Sequence, residues 1–300
     1  MLLVTPFSVP GQGAAGLWLE VSPPRGVDAE PLLSRLAAVR GKVQAVNLTD
    51  NALGRVKMSP LVFGGMVRTR LGLGVVINVS CRDRNRLALQ SDLLGAGALP
   101  VDGIVALGGD RLPPESGVTS VRDLNVLSLL RMVGRLNRGD TGEGKPALKT
   151  LPALLAGVVA NPNRVPLEPE LDLLRRKAEA GAQFVLTQPV FDAEVGRRFA
   201  AAARSLSLKV VLGILPIKHE TMASYIKKQV QDLAAARRHF DRFSGLDEGR
   251  ARELSIRLGL DLMAALAPEV ACFTIMSGGG PSLAIELVIE RCRQQAAQRS

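Results

Sequence analysis

The stretch Gly103-Ile-Val-Ala-Leu-Gly-Gly-Asp110 decides how the whole chain is read. Its apolar core is short and contains β-branched residues, which is the pattern of a buried strand. The strand runs into two glycines and an aspartate. Glycines there let the backbone turn and let another molecule lie close to the main chain. Asp110 then stands at the carboxyl end of a strand, where parallel α/β folds put their chemistry. A tight turn followed by a solvated aspartate fits this stretch alone equally well. Recurrence of the pattern separates the two readings.

The pattern recurs along the chain. Leu17–Val21 is a short strand stopped by Ser22-Pro23-Pro24, and Val43–Leu48 ends at Thr49-Asp50. Gly74–Ser80 ends at Cys81-Arg82-Asp83, and Ala156–Ala160 ends at Asn161-Pro162-Asn163. Gln183–Leu186 ends at Thr187-Gln188-Pro189, Lys209–Leu215 at Pro216, and Ala271–Met276 at Ser277-Gly-Gly-Gly280. Helical spacing fills the intervals: 29–40, 60–70, a helix carrying Leu87, Leu89, Leu93 and Leu94, then 120–137, 168–180, 192–206, 219–240 and 247–266. Asp83 is the expected cap of the third of these helices. Pro281 opens the last helix, as a first-turn proline does. Apolar strands alternating with amphipathic helices mean a parallel sheet covered on its outside. About eight such units predict a (β/α)8 TIM barrel, against a doubly wound open sheet as competitor. No linker divides the chain, so residues 1–300 read as a single domain, with 1–15 a loose N-terminal segment.

Bulk properties narrow the function classes. Of the 300 residues, 47% are apolar, which excludes a disordered chain. No apolar run approaches the ~20 residues of a membrane span. The start, Met1 to Phe7, has no basic region before its apolar residues, so no secretory signal is expected. Cys81, Cys272 and Cys292 lie far apart without a CxxC pair, which suits a reducing cytoplasm. The net charge is +10, yet only 3% of residues are aromatic and no compact Lys/Arg stripe is present. A nucleic-acid partner is therefore not expected. A basic surface serves anionic small ligands or acidic protein partners equally well. His219 and His239 show no ligand spacing, so no catalytic metal is expected.

Polar residues at the strand exits would converge on one mouth of a barrel. Glu20 differs from the others because it lies within an apolar run. The period of two puts it on the face of Trp18. A carboxyl group in such surroundings has its charged form disfavoured, so its pKa rises and it can act as a general acid near neutral pH. The alternative is an arginine-paired structural carboxylate. Gln188 precedes a proline, which favours an extended conformation, and its amide offers a donor and an acceptor together to a heterocycle; an ordinary loop glutamine is the alternative. Arg82, Arg84 and Arg86 could grip phosphate or carboxylate groups, but a solvated helix start is the preferred reading. The Ser277–Gly280 run could cradle a phosphate at a helix N-terminus.

With these residues in view, the chain resembles the methylenetetrahydrofolate reductase family. The motifs are Leu19-Glu-Val-Ser-Pro-Pro24, Asn78-Val-Ser-Cys-Arg-Asp83, Ala106-Leu-Gly-Gly-Asp110, Lys177-Ala-Glu-Ala-Gly-Ala182 with Leu186-Thr-Gln-Pro-Val-Phe-Asp192, and Gly213-Ile-Leu-Pro216, in the family's order over about residues 15–275. The resemblance implies a TIM-barrel flavoprotein with non-covalent FAD, or FMN, reduced by NAD(P)H. The same site then takes the folate. It implies that Glu20 is the acid that opens the folate's five-membered ring, that Asp110 lies near the flavin's pyrimidine edge and the folate, and that Gln188 grips the pterin. It implies cofactor contacts at Thr49, Asn78, Gly109, Asp110, Ala160, Asn161 and Lys177, the lysine facing the cofactor's anionic part. It further implies a cytoplasmic homo-oligomer in one-carbon metabolism, on the route to methionine. Gly108 stands where many relatives have Arg, and Asn78 where many have His. Tyr225 and Ile226 are the nearest candidates for the position at which relatives carry an aromatic that stacks on substrate. The C-terminal Met-Ser-Gly-Gly-Gly also departs from the usual ending.

Two further readings follow. One is a flavin- or folate-binding subunit of a larger complex, fed electrons by a protein partner or attached to a methyltransferase; the basic surface and the altered donor-side residues motivate it. The other is a metal-dependent barrel lyase using Asp50, Asp83 and Asp110.

Overall fold

A computed structural model of the chain describes residues 7, 15–112, 114–121, 123–144, 148–229, 234–278 and 280–297. In chain order the major elements are β1 (Gly16–Val21), α1 (Glu30–Ala37), β2 (Ala45–Leu48), α2 (Pro60–Leu71), β3 (Gly74–Ser80), α3 (Arg86–Ala98), β4 (Gly103–Leu107) and α4 (Val126–Leu136). They continue as β5 (Leu155–Ala160), α5 (Glu168–Glu179), β6 (Phe184–Pro189), α6 (Ala193–Ser205), β7 (Lys209–Ile214), α7 (Glu220–Gln229), α8 (Ala234–Asp241), α9 (Glu248–Leu266), β8 (Cys272–Ile275) and α10 (Ser282–Ala297). The strands pair in parallel, each with its sequence neighbour, and β8 returns to β1. The ring is the expected (β/α)8 barrel rather than an open sheet.

Strand alternation divides the apolar residues into two cores. Outward residues such as Leu19, Val46, Ile77 and Leu212 pack under the helices. Inward residues, among them Trp18, Val76, Val105, Phe184 and Val211, fill the barrel. The helices are built to cover the first core. In α4, buried Leu129, Leu130, Val133 and Leu136 recur at helical spacing, and Asn125 and Ser128 form a capping box at its start.

Two local expectations are corrected. Asn85, not Asp83, caps α3, accepting a hydrogen bond from the Ala88 amide; Asp83 is held by Arg82 instead. The stretch 219–240 is two helices, α7 and α8, with 230–233 outside the described residues. Ala223 of α7 and Phe240 of α8 join one cluster with Phe191, Ile217 and Phe243. On one straight helix those two residues would stand roughly 25 Å apart, so a shared cluster requires two separate helices.

The barrel's amino-terminal end is closed by aromatic rings. Phe7 packs against Trp18 and Phe184 with ring centroids 5.3 and 5.4 Å apart, and Lys209 Nζ lies over the Phe7 ring. The rest of the expected loose segment, 1–6 and 8–14, lies outside the described residues, whereas Ala15 and Phe7 pack against the barrel.

Gly157 makes this lower plug fit. A Cβ there would fall into the Phe184 ring. Gly157→Ala should therefore cost about 1–3 kcal/mol by overpacking. The check is a lowered urea midpoint, partly recovered when Phe184→Leu is added; an unchanged midpoint would mean that the ring is free to move aside.

Candidate active site at the barrel mouth

Inward side chains of a closed parallel barrel stack in layers drawn from alternate strands. The pairing register brings Glu20, Asn78, Val159 and Gly213 to one level. Asn47, Val105, Leu186 and Thr274 form the level beneath. Below that the inward groups are apolar, beginning with Trp18, Val76 and Val211. The polar part of the interior is thus confined to its upper levels.

Glu20 is the centre of this arrangement. It stands on β1, in register with Asn47 of β2, and remains partly exposed towards the mouth. Burial pushes its carboxyl up to about 7. It takes part in no ion pair or hydrogen bond among the described residues. The structure therefore decides against the arginine-paired alternative and leaves a carboxyl group that changes protonation near neutral pH.

The rim is set by a network around Arg82. This buried side chain donates to both Asp83 oxygens, at 2.5 and 2.7 Å, to the Asp110 carbonyl at 3.0 Å and to the Asn51 carbonyl at 3.2 Å. It thereby ties together the exits of β2, β3 and β4. Gly109 passes directly over it with φ +89, and a Cβ there would lie 2.5 Å from both Arg82 Cβ and Ser80 Oγ. Only glycine meets both the backbone and the steric demand. Asp110 is exposed, and its Oδ2 accepts from the Leu53 amide at 2.6 Å. Arg84 pairs with Asp50 and Asp92. Asp50 also accepts from the Ser80 amide at 2.9 Å, and burial raises its pKa despite the arginine. Arg82 and Arg84 are thus neither a solvated helix start nor free anion grips. A cleft of about 510 Å³ opens beside this network, walled by Arg82, Gly108, Gly109, Asp110 and the start of α4.

Asn78 is buried at the level of Glu20, with Oδ1 unpaired. Thr49 lies at the rim, its hydroxyl 2.8 Å from that of Ser22. Gln188 is exposed and takes part in no hydrogen bond among the described residues. It sits in an irregularity between Leu186 and Pro189, where the Thr187 hydroxyl receives the Gly213 amide at 2.9 Å. Such bulges re-aim side chains beside active sites. Asn161 turns the chain, its Oδ1 accepting from the Asn163 amide at 3.0 Å. Ala160 points its methyl outward into the helical core, so only its backbone faces the rim. Lys177 is buried behind β5, its Nζ donating to the Val159 carbonyl at 2.7 Å, and desolvation lowers its pKa. Tyr225 is exposed on α7, while Ile226 packs into the Phe191 cluster. At the last strand exit, Lys218 Nζ donates to the Gly278 carbonyl at 3.0 Å, and Gly279 lies outside the described residues.

Asn47 and Thr274 were not singled out in the sequence, yet both are fully buried inside the barrel. The signal was present: each is a polar residue on the inward phase of an apolar strand, as Glu20 is. Among the described residues no group of three or more His, Cys, Asp or Glu could hold a metal, and Asp50 and Asp83 are committed to arginines. No helix among them is long and apolar enough to cross a membrane.

The sequence model of the family described as Methylenetetrahydrofolate reductase matches residues 9–272. A 5,10-methylenetetrahydrofolate reductase of Escherichia coli (strain K12) is 25% identical over 269 residues, 86% of this chain and 84% of its own length. One from Pectobacterium carotovorum subsp. carotovorum is 27% identical over 214 residues, 69% of this chain and 66% of its own length. Among solved structures, an uncharacterized protein from Clostridium thermocellum, described as binding two copies of 5-methyl-5,6,7,8-tetrahydrofolic acid, has a TM-score of 0.62 at 14% identity and 93% coverage of both chains. That likeness is one of fold.

The raised Glu20 pKa carries a stability consequence of definite sign. The folded state holds the proton more tightly than the unfolded chain, so the associated stability is complete below pH 4.5 and is lost as pH rises through about 7. The loss amounts to about 3 kcal/mol. Glu20→Gln removes the titration. Urea unfolding at pH 5 and pH 8 should show the variant gaining on the parent at the higher pH; equal pH slopes would mean that Glu20 ionises freely.

Proposed function

The chain belongs to the methylenetetrahydrofolate reductase family, and from that premise we propose that it reduces 5,10-methylenetetrahydrofolate to 5-methyltetrahydrofolate, with NAD(P)H as donor through a non-covalent flavin, FAD or FMN. The observation that carries this reading is Glu20: a lone carboxyl group in the barrel wall, partly open to the mouth, with its pKa near neutrality. A general acid works best with its pKa near the operating pH. Glu20 would protonate the folate nitrogen that leaves when the five-membered ring opens. Opening yields an iminium, the form of the substrate that accepts hydride.

The residues present fit a flavin. Gly108 leaves open space where a Cβ would stand, Asn78 offers an unpaired amide oxygen, and the cleft beside β4 falls within the usual range for ligand pockets. When bound, the flavin supplies hydride. Thr49, Asn78, Gly109, Asp110 and Asn161, with the backbone of Ala160, would hold it. Lys177 would reach its anionic part only by leaving the Val159 carbonyl; as placed, it supports the end of β5. Asp110, fixed through Leu53 and Arg82, would bind at the shared edge of flavin and folate. Gln188 would read the pterin, since its amide is unspent. The reading takes residues 1–300 as one reductase domain of a cytoplasmic homo-oligomer, in the one-carbon metabolism that feeds methionine synthesis.

The test uses purified protein with its flavin. NADH or NADPH should bleach the flavin, and methylene-folate should restore the colour. Glu20→Gln should retain flavin and still be bleached, while folate turnover falls by about two orders of magnitude. Unchanged turnover would remove Glu20 from the mechanism. A flavin inert to both nicotinamides would replace this reading with that of a subunit fed by a protein partner.

A further inference from the structure

Most buried polar atoms of native proteins find a partner, because an unpaired one bears its full desolvation cost. Five buried side-chain atoms among the described residues have none: Asn47 Nδ2 and Oδ1, Asn78 Oδ1, Thr274 Oγ1 and Arg84 Nε. All but the arginine atom lie inside the barrel, on side chains more than nine-tenths buried. They are also gathered around one point. Asn47 is the register partner of Glu20 on β2. Thr274, on β8, stands in register with Trp18, one inward position below Glu20, on the opposite flank of β1. Asn78 shares the level of Glu20 from β3. The carboxyl group between them likewise has no partner among the described residues.

We propose that Asn47, Asn78 and Thr274 hold ordered water against the inner side of Glu20, and that through this water they position the acid for proton transfer to the folate. The inference rests on the assignment of Glu20 as the acid. Buried water typically makes about three hydrogen bonds to otherwise unsatisfied groups. An amide offers donors and an acceptor, and a hydroxyl offers both, so this set can orient water whichever form Glu20 takes.

The chemistry gives such water a task. In ring opening the O–H bond of Glu20 breaks and a new N–H bond forms on the leaving nitrogen. The C–N bond breaks with its electron pair staying on that nitrogen, and the other ring nitrogen's lone pair makes the iminium. Glu20 is left as a carboxylate in an apolar wall with substrate over its outer side. Hydrogen bonds from the inner side stabilise that anion at the moment it forms. Among the described residues no charged side chain supplies the same help. The inward groups of β2 and β8 at these levels are Asn47, Thr49, Thr274 and Met276, and those of β3 are Asn78 and Ser80; Val159, Leu186 and Gly213 face Glu20 across the barrel. The charges of Asp110 and Arg82 belong to the rim network, and the Cys272 thiol below is pushed up to about 12 and stays neutral.

Asn47→Leu and Thr274→Val replace each polar group by an apolar one of similar size. Such replacement is close to neutral for folding. The primary readout needs no substrate: infrared titration of the protonated carboxyl band that Glu20→Gln abolishes. Each variant should move that titration upward by about one unit, a tenfold change in ionisation. Thr274→Ser, which keeps the hydroxyl, should restore it. In turnover, kcat should fall about tenfold or more with KM little changed, and the alkaline limb of the pH profile should move upward. A titration unmoved in both variants overturns the proposal, as does a Thr274→Ser titration that matches Thr274→Val. If the band moves while parent protein and variants alike fail to turn over methylene-folate, the water site stands and the reductase reading is what fails. Should one variant not fold, the other decides by the same titration.

Discussion

Ring closure is the constraint from which the rest follows. Eight parallel strands can share all their hydrogen bonds without leaving an edge only if every second side chain points into a narrow interior. That interior must be packed, because a parallel barrel is a core and not a pore. In this chain the lower levels obey the rule with Trp18, Phe184 and Val211, and Phe7 closes the end. The upper levels break it with Glu20, Asn47, Asn78 and Thr274. Polar groups placed there by strand pairing hold their positions as firmly as the barrel itself. The fold thus fixes the site to the stability of the whole ring, and loops contribute only what lies on the rim.

The rim has its own means of becoming rigid. Loops that rise from separate strands have no common ladder to order them. Arg82 supplies one by donating to groups that follow β2, β3 and β4, and Gly109 lets the backbone press close over it. A guanidinium suits this task because it presents several donors in one plane. The consequence is that Arg82 and Arg84 are used up internally, while Arg86 stays exposed at the start of α3.

Much of the fold was legible because its signals are repeated. Short apolar runs ending in polar or glycine-rich exits recur around the ring, with helical spacing between them. Boundaries that depend on competition between neighbours were less so. Asp83 and Asn85 are both good caps, and the choice fell to Asn85 because Arg82 claims the aspartate. The division of 219–240 into α7 and α8 is not marked in the helical spacing; it shows only in Ala223 and Phe240 reaching the same cluster. In the site, Glu20 stood out as a charge within an apolar run. Asn47 and Thr274 obey the same parity but are uncharged, and in isolation each passes for an ordinary strand residue. Their importance comes from being neighbours across β1, and the pairing of β1 with β8 joins segments more than two hundred and fifty residues apart.

The chemistry of these upper levels also explains why their polar groups are neutral. Glu20 is the one carboxylic acid carried by any strand of the barrel. A cation beside it would hold it ionised and remove its proton at neutral pH; a second carboxylate would raise its pKa still further and leave a weaker acid. Amides and hydroxyls do neither, since they accept from the protonated form and donate to the ionised one. Charge is instead confined to places where it is already balanced: Asp50 with Arg84, Asp83 with Arg82, Asp102 with Arg68. The carboxyl pKa of about 7 is therefore a property of burial in a neutral polar lining. Introducing a charged side chain at Asn47 or Thr274 would alter that lining more than any change at the rim.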